Sequence, residues 1–161
     1  LPCLPRALIL CLLPLPALAD CPGQTFVSCP VGGDRWLEVC IGAEDFTYPF
    51  GPRGAPELRL SVPMSAGTVT PWPGVGRAIW ASVGFPNAGY TYEVWGSVDR
   101  VPDNPDPSAR VNVLQGEDLL AQIPCLPGTV EAPAFVLEDA MAERRFCWNL
   151  TARRWQRGVC G

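Results

Sequence analysis

Apolar and polar residues alternate with period two over most of the chain between residues 35 and 124. In Arg35 to Ile41, Leu37, Val39 and Ile41 fall on one face and Glu38 on the other, which predicts a strand. A Gly42–Asp45 turn follows, and Phe46, Tyr48 and Phe50 alternate again, so residues 35 to 50 are expected to form a hairpin. After the turn cluster of residues 51 to 56, Leu58, Leu60 and Val62 share a face opposite Glu57, Arg59 and Ser61. Two prolines and three glycines exclude a central strand over residues 66 to 77. Alternation resumes at Ile79, Ala81, Val83 and Phe85, then at Tyr90, Tyr92, Val94 and Val98. Residues 102 to 109 are expected to be a loop, and Val111 to Ile123 a hairpin turning at residues 115 to 118.

The period changes after Cys125. Leu137, Ala140, Met141 and Arg144 recur at helical spacing opposite Glu138, Asp139 and Glu143, predicting one short amphipathic helix. Residues 146 to 156 read as a closing hairpin. The expected architecture is all-β: an antiparallel β-barrel or sandwich of seven to nine short strands, with one short C-terminal helix capping an end or a face. Leu37, Val39, Leu58, Leu60, Ile79, Val83, Tyr92 and Val94 are the expected common core.

Residues 1 to 19 stand apart. Arg6 precedes an apolar run ending in Ala17-Leu18-Ala19, the pattern of a secretory signal peptide, with cleavage expected before Asp20. The run is interrupted by Pro14 and Pro16 and falls short of the roughly 20 residues that span a bilayer, so no stable membrane insertion is expected. Residues 20 to 161 then form a single domain.

Composition narrows the chemistry. The sequence has no histidine and no lysine, which removes Ser-His-Asp and Cys-His catalysis, Schiff bases and the Walker lysine. No cofactor is implied. Loss of Arg6 with the leader takes the net charge from −4 to −5, a surface that repels nucleic acid. Six of the eight cysteines lie beyond the leader, and an even number in an exported chain reads as a disulfide framework. The pairings expected from proximity are Cys29 with Cys40 and Cys147 with Cys160, leaving Cys21 with Cys125.

Asp99, Asp103, Asn104 and Asp106 cluster their oxygens as a calcium site would, although the proline-rich context equally describes a stiff, solvated loop. Glu38, Glu57 and Glu93 lie on strand faces opposite the apolar rows, where a carboxylate is ordinarily solvated; paired, they could hydrolyse glycosides without histidine. The loop of residues 71 to 77 carries Trp72 and Arg77, residue types enriched at binding hot spots, on a backbone restricted by proline. Trp72 could instead fold back over the end of the β structure. Arg53 and Arg59 are further candidate binding residues.

Tyr48 to Leu60 and Gly89 to Trp95, preceded by Leu37-Glu38-Val39-Cys40, resemble small exported proteins of alphaproteobacteria that carry no assigned activity, over most of residues 29 to 125. That likeness implies an exported β domain and no particular chemistry. In architecture alone the expected fold is similar to the periplasmic lysozyme inhibitors. The function expected is thus a periplasmic or secreted binding or inhibitor-like protein without catalytic activity, acting on an envelope or extracellular protein. A carboxylate hydrolase and a structural envelope component are the alternatives.

Overall fold

The computed structural model describes residues 21–100 and 106–158; the leader, Asp103, Asn104 and Cys160 lie outside them. Two antiparallel sheets face each other. The first is a four-stranded meander of β1 (Gln24–Gly32), β2 (Arg35–Ile41), β3 (Asp45–Pro52) and β4 (Leu58–Pro63). The second contains β5 (Val69–Thr70), β6 (Ala78–Asn87), β7 (Tyr90–Asp99), β8 (Ser108–Gln115) and β9 (Asp118–Pro124), in that order. The helix α1 (Val136–Glu143) and a hairpin of β10 (Phe146–Asn149) and β11 (Arg154–Arg157) complete the fold. The predicted sandwich is therefore the outcome; the sheets do not close into a barrel, and the described strands number eleven rather than seven to nine.

The additional strands have physical explanations. In β1 an irregularity between Thr25 and Val27 places Phe26 and Val27, adjacent in sequence, both in the core. Period two is broken there, and Pro30 and Gly32 further disguise the strand. β5 has two residues and lies at a sheet edge, consistent with the exclusion of a central strand. β8 begins at Ser108, so the expected loop is shorter at its C-terminal end.

Proline also shapes the interior of the first sheet. Along β2 and β3 the register runs Leu37 to Phe50, then resumes at Cys40 with Thr47. Pro49 lies in the interruption, where its missing N–H removes a ladder bond.

Apolar rows from both sheets interdigitate. Leu37, Val39, Val83 and Val94 are fully buried, while Leu58, Leu60 and Tyr92 pack partly buried against them. Tyr48 of the first sheet stacks on Phe85 of the second, with centroids 5.3 Å apart. At Gly96 the sheets approach so closely that a β-carbon would lie 3.0 Å from Val27 Cγ2 and 3.2 Å from the Phe26 ring. Ile79 is only half-buried, at the end of the sandwich where α1 docks.

The helix inserts Leu137, Ala140 and Met141 into the core. Arg144, predicted on its inward face, donates from Nη2 to Gly42 O and from Nε to Ala43 O, each at 2.6 Å, fixing the β2–β3 turn. Trp155 Nε1 donates to Val69 O at 2.9 Å, tying the last hairpin to β5.

The disulfides correct two expected pairings. Cys21 is bonded to Cys40 and Cys29 to Cys125, not Cys29 to Cys40 or Cys21 to Cys125. Cys29 is opposite Leu37 and shares its core-facing side, whereas Cys40 alternates with Val39 onto the outer face. Opposite faces of a sheet cannot be joined by one side-chain bridge. Cys147 is also disulfide-bonded, and the expected partner, Cys160, lies outside the described residues.

Candidate functional site

Between β5 and β6 the chain must turn across one end of the second sheet, and Pro71-Trp72-Pro73-Gly74 fixes how it does so. Gly74 and Gly76 take φ values of +83° and +96°, accessible to glycine at little cost. Trp72 donates its indole N–H to Val75 O at 2.9 Å and its backbone N–H to Glu138 Oε1 at 3.2 Å. Its ring meets Phe135 edge-on at 6.0 Å, with the Arg100 guanidinium carbon 5.1 Å from its centroid. Arg100 donates to Gly76 O at 3.1 Å, and Arg77 pairs with Asp99 at 2.8 Å.

These bonds leave an apolar tip in water. Val75 is 68% exposed and Phe135 42% exposed, while Trp72 is half-buried beneath them and outside the hydrophobic core. Phe135 also has φ +63° at the start of α1, an outlying conformation for a bulky residue. In that conformation its ring lies edge-on to that of Trp72.

Glu138, in the first turn of α1, completes the group. Burial pushes its carboxyl above the ordinary value, an effect opposed by its own N–H and that of Trp72 and reinforced by neighbouring Asp139. Oε2 is buried and has no hydrogen-bond partner among the described residues. The adjoining cleft, lined by Phe26, Ile79, Ala81, Val98, Phe135 and Glu138, offers about 10 Å³, the space of one water. It is too small for an organic ligand.

A pH test follows from Glu138. A carboxyl whose pKa is raised by folding stabilises the folded state most below its unfolded pKa and ceases to do so as pH rises through the folded value. Glu138→Gln keeps an acceptor for Trp72 without the charge, so its Tm should exceed that of the wild type at neutral pH. The gap should close on acidification, and a pH-independent difference in parallel melting curves would contradict this account.

The remaining candidate residues lie elsewhere. Arg53 occupies the outer face of the first sheet, its guanidinium carbon 3.5 Å from the Trp36 centroid. It also reaches Ser28 Oγ at 3.3 Å and Glu38 Oε1 at 3.8 Å. Arg59 is exposed on β4, opposite Pro49. Trp72 and Arg77 thus form one group, on a different sheet from Arg53 and Arg59.

The three carboxylates of the hydrolase alternative are engaged separately. Glu38 is buried and accepts from Ser28 Oγ at 3.1 Å. Glu57 receives Arg35 Nε at 3.0 and 3.1 Å. Glu93 lies on the other sheet, accepting from Ser82 Oγ at 3.1 Å and Asn112 Nδ2 at 3.0 Å. Of the calcium candidates, Asp99 is paired with Arg77, Asp106 is exposed, and Asp103 and Asn104 are not described. Cys21, Glu38 and Cys40 converge as metal ligands would, but the two sulfurs are joined in a disulfide and supply no thiolate.

Phe135, Glu138, Val75 and Arg100 were absent from the sequence-derived site. The first two join Trp72 across more than 60 residues of chain, as in the Trp72–Glu138 bond with its separation of 66. Only the neighbouring Val75 could have been read with the loop. A second overlooked surface was legible in the alternation: Trp80, Trp95 and Arg110 form a stacked row on the outer face of the second sheet, with centroids 6.5 Å apart and Arg110 3.9 Å above Trp95.

Comparison with protein families, with curated proteins and with solved structures returned no match. Among the described residues, no helix is long and apolar enough to cross a membrane.

Proposed function

We propose that this chain is a non-catalytic binding protein, periplasmic or secreted, that docks on an envelope or extracellular protein through the Trp72 loop. The observation that carries this reading is the exposed tip of Val75 and Phe135 over half-buried Trp72, on a loop whose conformation is already fixed by its own hydrogen bonds. A prearranged aromatic anchor loses little entropy on docking, and burial of its rim concentrates binding energy in few residues. Arg77 and Arg100 beside the tip favour an acidic margin on the partner. The hydrolase alternative has no comparable support, because each candidate carboxylate is occupied by its own donor. The disulfides support an oxidising compartment.

Val75→Asp tests the reading. Val75 is largely exposed and outside the hydrophobic core, so the variant should melt with the wild type yet fail to retain the protein that wild-type bait captures from envelope extract. Equal capture by both baits, or capture of nothing by the wild type, would reject the loop as a docking site.

A further inference from the structure

β9 ends the five-stranded sheet, and its outer edge has no strand beside it among the described residues. Edge strands are ordinarily protected by charge, shortness or a covering segment. The edge strand β1 of the first sheet illustrates this: it exchanges two 2.9 Å bonds between Ser28 and Glu131, and its Pro30 O accepts from Leu126 N. Among the described residues β9 has no such cover, and Leu119 to Ile123 contains no charge. Leu119 and Leu120 are 56% and 54% exposed, and Leu126 just beyond is 44% exposed.

The backbone direction identifies which groups are available. Cys125 N donates inward to Ala109 O at 2.9 Å, and the register from Pro124 back to Ala121 is unbroken. By strand alternation, Gln122 directs its N–H and C=O away from β8, while Pro124 has no N–H to leave unsatisfied. Leu120 is the extra residue of a bulge opposite Val113 and Leu114.

We propose that β9 pairs with β9 of a second copy of this chain, antiparallel and centred on Gln122, joining two five-stranded sheets into one. The edge is self-complementary in that orientation. Gln122 exchanges two hydrogen bonds with its counterpart, Leu120 falls opposite Pro124 of the second copy, and Leu119 falls opposite its Cys125. Glu117 and Asp118 are the charges at one end of the strand, and antiparallel pairing sends them to opposite ends. The two Asp118 residues then lie roughly 26 Å apart at about 3.3 Å per residue, beyond the Debye length of about 8 Å. Parallel pairing would stack these acids directly. A two-fold antiparallel contact is also closed, so it consumes the edge rather than propagating a fibre.

The test combines sedimentation velocity with cysteine cross-linking of the disulfide-bonded protein. Wild type should sediment as a concentration-dependent dimer, and Leu120→Lys, which places a charge on the edge, should be monomeric with unchanged melting. Gln122→Cys should form a dimer that is released by reduction, since directly opposed residues in a hydrogen-bonded pair have Cα atoms about 5.5 Å apart, within disulfide range. Glu117→Cys, far from its counterpart in this orientation, should not. A wild type that is monomeric at every concentration overturns the proposal. So does a dimer unaffected by Leu120→Lys, or cross-linking through Glu117→Cys as efficient as through Gln122→Cys.

Discussion

Replacing Cys29 and Cys125 together by alanine should cost this protein about 4.7 kcal/mol, the chain-entropy value for a loop of about 100 residues. The bridge spans 96 residues and ties β1 of the first sheet to the residue after β9 of the second. Without it, the unfolded chain recovers most of its freedom, and the inter-sheet contacts of Val27 and Gly96 lose a covalent constraint. Cys21–Cys40 spans 19 residues and should contribute about 3.2 kcal/mol on the same basis. Against a total stability of roughly 5 to 15 kcal/mol, the longer bridge is the larger single contribution. Urea unfolding of the double variant would measure the loss, and peptide mapping without reduction would establish the pairing. A double variant within about 1 kcal/mol of the wild type, or linked peptides joining Cys29 to Cys40, would contradict the assignment.

The same bridge marks a boundary of what the sequence made legible. Strands β2 to β4 and β6 to β8 could be read because their apolar residues recur at every second position, whereas β9, exposed along nearly its whole length, was legible only as the second arm of the hairpin turning at residues 115 to 118. β1 could not be read, because the irregularity at Phe26 buries consecutive residues and Pro30 interrupts the pattern. Losing β1 also loses the register that places Cys29 beside Leu37, and proximity in sequence then favours the wrong partner. The candidate site divides similarly. Trp72 and Arg77 were visible as a stiff loop with hot-spot residues, but Phe135 and Glu138 reach it only through the docking of α1, a long-range contact that no local pattern encodes. The uncovered edge of β9 is a third kind of information, since exposed leucines in a strand are indistinguishable from core leucines until the sheet order is known.

Phe85→Ala should destabilise the domain by about 3 to 5 kcal/mol, the range for truncating a buried aromatic. Phe85 is fully buried and stacks on Tyr48 across the interface, with ring planes inclined by 28°. Tyr48 is itself 1% exposed, and burial raises the pKa of its phenol, with neighbouring Tyr92 adding to the effect. Removing the Phe85 ring would therefore leave a void between two stiff sheets, beside a tyrosine that cannot move to fill it without displacing its own strand. Collapse is further limited because Phe85 is paired with Tyr92 and flanked by a continuous β6–β7 ladder. Phe85→Leu retains much of the volume and should cost distinctly less, which separates the cavity effect from a general intolerance of substitution. Denaturant unfolding with an unchanged m-value in both variants would attribute the losses to the folded core. If alanine and leucine proved equally mild, the two sheets would not share the interior described by the Tyr48–Phe85 stack.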